Sequence, residues 1–151
     1  RLGAVVLTLG LAACATADVG PEAVPTQLEY AAELGVDFSE MQETSSGLWM
    51  KELSPGSGRM ASTGDRIRIH YVGRLPDGTV FDSSLGGDPF EFELGAGGVI
   101  RGWTQGIRGM AVGSRRLLVI RPGLGYGARG RPPTVPPNSV LVFEIQLLDA
   151  N

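Results

Sequence analysis

Residues able to do covalent chemistry are few and scattered in this chain. His70 is the single histidine and Cys14 the single cysteine among 151 residues. His70 stands between Ile69 and Tyr71 on the polar side of an alternating run, with no cysteine nearby and no nucleophilic serine motif to serve, so it reads as solvated or structurally hydrogen-bonded. Gly95-Ala96-Gly97-Gly98 lacks the Lys and Ser/Thr of a phosphate-binding loop and does not sit in a parallel βαβ unit. Cys14 has no companion at metal-ligand spacing, and the Asp and Glu residues are too scattered to suggest a metal site. What is left is an aromatic and apolar set, Tyr71, Phe81, Phe90, Val99, Ile100, Trp103, Tyr126 and Phe143, with one acid, Asp82, directly after Phe81. Such a set either forms the core of a small domain or lines an apolar cleft.

The elements that must position this set can be read from periodicity. Ile100, Trp103, Ile107 and Met110 recur at helical spacing behind the Gly-rich turn at 95–98, which predicts a two- or three-turn helix with Trp103 on its buried face. Ile67, Ile69 and Tyr71 alternate with Arg66, Arg68 and His70, and Phe90, Phe92 and Leu94 alternate with Glu91 and Glu93; both runs read as half-buried strands. Further strands are expected at 48–53, 79–81, 118–120 and 141–147, with a tight turn at Pro76-Asp77-Gly78. The longest irregular stretch is 121–139. The 23 Gly and 10 Pro, concentrated after Gly47, favour a turn-rich α+β domain, a curled antiparallel sheet of about five strands around one short helix, over a helical bundle.

The N-terminal third has a different composition. Arg1 precedes an apolar run over residues 2–13 that is too short to span a bilayer and ends Leu11-Ala12-Ala13-Cys14. It reads as a signal core over residues 1–13, cleaved before Cys14. Residues 14–46 carry seven acids and no Lys or Arg, and read as an acidic tether that is mobile by default, with a short helix possible at 26–34 from the capping-box pair Thr26 and Glu29 and the stop at Gly35. The folded domain is placed at 47–151, where nine acids face twelve bases. Neither part carries a like-charge run of the kind that binds nucleic acid.

Taken together, His70-Tyr71-Val72-Gly73, Asp77-Gly78, Val80-Phe81-Asp82-Ser83-Ser84, Pro89-Phe90, Val99-Ile100-Arg101-Gly102-Trp103, Tyr126-Gly127, Pro136-Pro137 and Leu141-Val142-Phe143 closely resemble, in order and spacing, the FKBP family of peptidyl-prolyl cis-trans isomerases. The resemblance covers residues 47–151 and implies that family's sheet curled around a short helix. It implies Tyr71, Phe81, Asp82, Tyr126 and Phe143 as catalytic residues, with Phe90, Val99, Ile100, Trp103 and Val135 binding substrate. Trp103 would form the floor, and the Ile100 N–H and Tyr126 hydroxyl would hold peptide carbonyls, with Asp82 orienting Tyr126. No cofactor or metal is implied. The expected partners are Xaa-Pro segments of unfolded or secreted proteins and macrolide inhibitors of the FKBP class, with the protein a monomer. The ending at Cys14 likewise resembles the lipobox of bacterial lipoproteins, which implies export and a lipid anchor on Cys14 at the cell envelope.

Two departures from the family pattern stand out. Leu85-Gly86-Gly87-Asp88 is one residue shorter than the common form and lacks the Arg that pairs with the acid there. The loop Arg131-Pro132-Pro133-Thr134-Val135 differs as well; Arg129 and Arg131 read as solvated loop residues, with a preference for acidic peptide flanks as the other reading. A module that holds Pro-containing segments without accelerating their isomerisation would use the same cleft; the matching Tyr71, Phe81, Asp82, Trp103 and Tyr126 favour the enzyme.

Overall fold

In the computed structural model, which describes residues 21–151, the alternation around Ile69 becomes a nine-residue strand, β3 (Arg66–Arg74), with Ile67, Ile69 and Tyr71 buried and Arg66 and Arg68 exposed. The strand expected at 141–147 becomes β7 (Leu141–Ala150), which pairs antiparallel with β3 so that Tyr71 faces Ile145 and Gly73 faces Phe143. The other edge of β3 is shared: β5 (Phe90–Glu93) takes Arg66 to Ile69 and β4 (Val80–Ser83) takes Val72 to Arg74. With β1 (Gln42–Glu43), β2 (Trp49–Ser54) and β6 (Arg115–Ile120), the sheet has seven strands among the described residues, in the order β1-β2-β6-β7-β3-β4 with β5 beside β3. Six of these strands fall on the runs read as strands from the sequence; the seventh is the two-residue β1, which alternation alone does not signal.

The Gly-rich turn delivers the expected helix. Gly95, Gly97 and Gly98 all have positive φ, near 90°, a conformation that costs a side-chain-bearing residue energy. They release the chain into α1 (Arg101–Ile107), with Ile100 as the extended residue before it. The helix ends at Ile107, and Met110 reaches the core from the turn that follows. Gly102 and Gly106 lie directly on β6: a Cβ added to them would fall 2.7 Å from Ile120 and 2.5 Å from Leu118. The backbone of α1 therefore rests on β6 side chains, and Trp103 and Ile107 are driven into the concave core with Ile67, Ile69, Leu118, Ile120, Phe143, Ile145 and Leu147.

The run Leu117-Leu118-Val119-Ile120 is buried at every position. Leu118 and Ile120 face α1, and Leu117 and Val119 face the opposite side of the sheet. That outer side is covered by the segment read from sequence as part of a tether. From residue 22 onward the chain lies across it, with Leu34 and Met41 buried against Leu117, Val119, Val140 and Val142, and Tyr30, Val36 and Phe38 packed alongside. The edge-on ring contacts Tyr30–Phe38 and Phe38–Trp49, at 5.7 and 4.9 Å between centroids, continue this layer onto β2.

The helix considered for 26–34 does not form. The arm makes three separate 3-10 turns, Pro25–Gln27, Ala32–Leu34 and Phe38–Glu40, the second stopped by Gly35 in a left-handed conformation. A nine-residue helix is marginal by itself. The extended residues between the turns instead let side chains reach the sheet, and the Ala31 N–H donates to Pro76 O at 2.8 Å. Glu22 ties down the start of the arm: its Oε1 accepts from Arg121 Nη1 and from the Gly123 N–H, each at 2.8 Å, and these bonds hold its carboxyl below the usual carboxylate range. The signal run at 1–13 and Cys14 lie outside the described residues. Among the described residues no helix is long and apolar enough to cross a membrane.

Candidate active site

The concave face is not fully closed. Between β3, β5, the start of α1, the loop after Pro122 and β7 lies a cleft of about 590 Å³, lined by Tyr71, Asp82, Phe90, Val99, Ile100, Trp103, Tyr126, Arg131 and Phe143, with Gly98, Arg101 and Gly125 completing the rim. Each wall has a local cause. Tyr71 is the third inward residue of β3, and Phe143 sits opposite Gly73 on β7. Gly73 has no side chain because Phe143 and Phe81 occupy that space: a Cβ there would fall 2.6 Å from the Phe143 ring and 2.8 Å from the Phe81 ring.

Trp103 is at the bottom, only 6% exposed. Tyr71 and Phe143 meet it edge-on, at 4.8 and 5.2 Å between centroids, and Phe90 follows at 5.9 Å. Edge-to-face pairs of this kind are favourable beyond the area they bury, and they lock the rings in place. The Trp103 Nε1–H is buried and has no hydrogen-bond partner among the described residues. Phe90 remains 39% exposed at the mouth.

One polar network borders this apolar bowl. The Tyr71 hydroxyl donates to Asp82 Oδ2 at 2.8 Å, and the Ser83 N–H donates to Asp82 Oδ1 at 2.9 Å. Arg131 Nη1 donates to Asp82 Oδ2 at 3.3 Å and to the Tyr126 hydroxyl at 3.4 Å, with the guanidinium 5.7 Å from the Tyr126 ring centre. Burial, and then the neighbouring Asp82 carboxylate, push the Tyr71 hydroxyl well above the usual phenol range. Its proton is held, and the hydroxyl donates it to Asp82. The Arg131 guanidinium is raised by its bonds to Tyr126 and Asp82 and stays charged.

Most of the expected residues converge here, with three differences. Phe81 does not line the cleft; it stands behind Phe143 at 5.4 Å and supports that ring. Val135 is buried in the core, 1% exposed, because it pairs with Arg131 across an isolated bridge and anchors the loop from inside. Asp82 does not orient Tyr126 directly, since it is bonded to Tyr71 and reaches Tyr126 only through Arg131. Arg131, read from the sequence first as a solvated loop residue, is instead the partner that Asp82 and Tyr126 share. His70 is structural, with Nδ1 2.9 Å from Ser84 Oγ.

Ile100 and Tyr126 present polar atoms to the cleft. The Ile100 N–H meets no backbone acceptor among the described residues, while its carbonyl takes the Trp103 N–H at 3.0 Å to start α1. The Tyr126 hydroxyl accepts from Arg131 and keeps its own proton to donate. A donor on each side of an aromatic bowl suits an extended peptide whose carbonyls need partners while an apolar ring sits between them.

Known proteins are similar to this chain in sequence and in fold. Residues 57–148 match the family described as FKBP-type peptidyl-prolyl cis-trans isomerase. The chain is 50% identical over 104 residues to FK506-binding protein 1A of Aspergillus fumigatus, an alignment that covers 67% of this chain and 93% of the relative. It is 54% identical over 92 residues to peptidyl-prolyl cis-trans isomerase FKBP15-2 of Arabidopsis thaliana, covering 60% of this chain and 56% of that one, so it spans little more than half of that relative's length. The structure resembles the crystal structure of a peptidyl-prolyl cis-trans isomerase from Pseudomonas syringae with a TM-score of 0.69 and 38% identity, over 80% of this chain and 86% of the other. With most of its length matched in sequence and in fold, the chain belongs to the FKBP-type peptidyl-prolyl cis-trans isomerase family.

Proposed function

We propose that this peptidyl-prolyl cis-trans isomerase acts on Xaa-Pro bonds of exported proteins, from a lipid anchor on Cys14 at the cell envelope, by taking the prolyl ring into the aromatic bowl. The sequence ending at Cys14 supports the anchor. The observation that carries the reaction is the bowl itself, with Trp103 as floor and Tyr71, Phe90 and Phe143 as walls, open at one side and bordered by the donors of Ile100 and Tyr126.

The barrier between cis and trans, roughly 18–20 kcal/mol, is the loss of amide resonance on twisting. A planar amide is the more dipolar state and loses more when water is removed, so a dry bowl favours the twisted form relative to the planar one. Only this difference accelerates the reaction, and each 1.4 kcal/mol or so of it is tenfold in rate. No bond other than the rotating one changes, and no proton is transferred.

In this scheme Tyr71, Phe143 and Trp103 exclude water, and Val99 and Ile100 form the wall next to α1. The Ile100 N–H and Tyr126 hydroxyl hold the flanking carbonyls. Asp82 fixes Tyr71 and, through Arg131, Tyr126; Phe81 backs Phe143. The same bowl suits macrolide inhibitors of the FKBP class, and the protein works as a monomer.

The test is cis-trans exchange of an acetylated Leu-Pro peptide followed by NMR, with and without the protein. Acceleration by the protein, reduced about tenfold or more in Asp82→Asn, roughly the 1.5–3 kcal/mol of a hydrogen bond to a charged group, is the expected result. No acceleration, or an unchanged rate in that variant and in Trp103→Ala, overturns it.

A further inference from the structure

The charged side chains that line the cleft are Asp82, Arg101 and Arg131. They do not cancel. The Asp82 carboxylate is turned inward, with both oxygens already accepting from Tyr71, Ser83 and Arg131. The Arg131 side chain is 51% exposed against 33% for Asp82. Arg131 spends only Nη1 on Asp82 and Tyr126, and its Nε and Nη2 make no hydrogen bond among the described residues. Arg101 spends Nη2 on the Gly123 carbonyl, and its Nε and Nη1 likewise make none. Two guanidiniums on one rim thus keep donors to spare, while both oxygens of the one carboxylate there already accept.

From this geometry we propose that the cleft prefers proline segments carrying a carboxylate next to the Xaa-Pro bond, with Arg131 as the main reader and Arg101 as the second. Arg131 is anchored by Asp82 and Tyr126 and by the bridge between its backbone and the buried Val135, so its fork is held over the mouth and loses little freedom on meeting a carboxylate. Arg129, exposed in the same loop, does not line the cleft and is not part of this reader. The inference rests on the isomerase reading and names the substrate class of that same site.

Acetylated, amidated tetrapeptides that differ only in Glu, Leu or Lys immediately before proline, and a second set with the change immediately after it, test this in the NMR exchange experiment. At about 20 mM salt the Glu peptide of at least one set is expected to exceed its Lys counterpart in kcat/KM by about tenfold, and about 0.5 M salt should reduce that ratio to threefold or less. Arg131→Gln should lower the ratio to about threefold, the double variant with Arg101→Gln should bring it close to one, and Arg131→Lys should restore part of it. Because the readout is a ratio, a general loss of rate in these variants does not affect it. Equal rates for Glu and Lys peptides in both sets, or a ratio that survives the double variant, overturn the charge reader while acceleration of the Leu peptide keeps the isomerase reading intact. Failure to accelerate any peptide overturns both.

Discussion

On its concave face the sheet packs against α1, with Trp103 and Ile107 pinned between Leu118, Ile120 and Phe143; on the other face β6 and β7 are covered by an arm whose regular structure, among the described residues, is three single 3-10 turns and the two-residue β1. Both layers bury aromatics, but they differ in how polar atoms are treated. Under the arm, the Tyr30 hydroxyl is satisfied by Pro25 O at 2.8 Å. On the concave side the Trp103 Nε1–H has no partner and Phe90 is left at the surface. An orphaned buried donor costs about 1–3 kcal/mol, and folds keep such costs chiefly where a site requires them. Under the arm the tyrosine hydroxyl is paired, while the inner layer leaves its indole donor unpaired beside a cleft for a guest.

Trp103→Ala should produce the largest effect and the clearest sign of that difference. It is expected to destabilise the fold by about 3–5 kcal/mol in urea unfolding and also to abolish measurable acceleration of prolyl exchange, because core and floor are one residue. Phe38→Ala on the outer layer should cost about 2 kcal/mol of stability, below the range for a fully enclosed aromatic, and leave kcat/KM within twofold of the parent. Loss of activity in the Phe38 variant at a temperature where it stays folded would show that the two faces are not independent.

The smallest effect is on pH. Tyr30, raised by burial, and Tyr71, raised by burial and by Asp82, both have folded pKa values above the ordinary value of about 10. Protonated tyrosine is therefore favoured by folding. Stability should be complete below pH 10 and fall above it, by less than about 1.4 kcal/mol per pH unit for each ring since both retain contact with water. Tyrosinate absorbance followed with unfolding should show the loss reduced in both Tyr30→Phe and Tyr71→Phe; a loss confined to one of them would mark the face that yields first.

These contrasts also explain what could be read in advance. The concave face was legible because periodicity marks it: Ile67, Ile69 and Tyr71 at spacing two, Trp103 and Ile107 at spacing four. The arm was not, because Tyr30, Leu34, Phe38 and Met41 are spread among acids and find their partners only on the far side of β6 and β7. A signal did exist in Leu117-Leu118-Val119-Ile120, since a strand apolar at every position must be covered on both faces. In the site, the aromatic bowl followed from residue type and order. Arg131 and Val135 did not, because the loop they share has no period, and the bridge between them sends one inward and the other to the cleft. Asp82 was placed correctly beside the bowl but with the wrong tyrosine, as a sequence orders residues along the chain and not around a ring.

The pair Gly102 and Gly106 sets a dimension that no lining residue controls. With no side chains there, α1 sits as low on β6 as its backbone permits, a Cβ at either position overlapping Ile120 or Leu118. The depth of the bowl is therefore defined by absent atoms: adding a methyl group at Gly102, outside the cleft, would raise the helix and its indole together, making the binding space shallower while leaving every residue that touches a substrate unchanged.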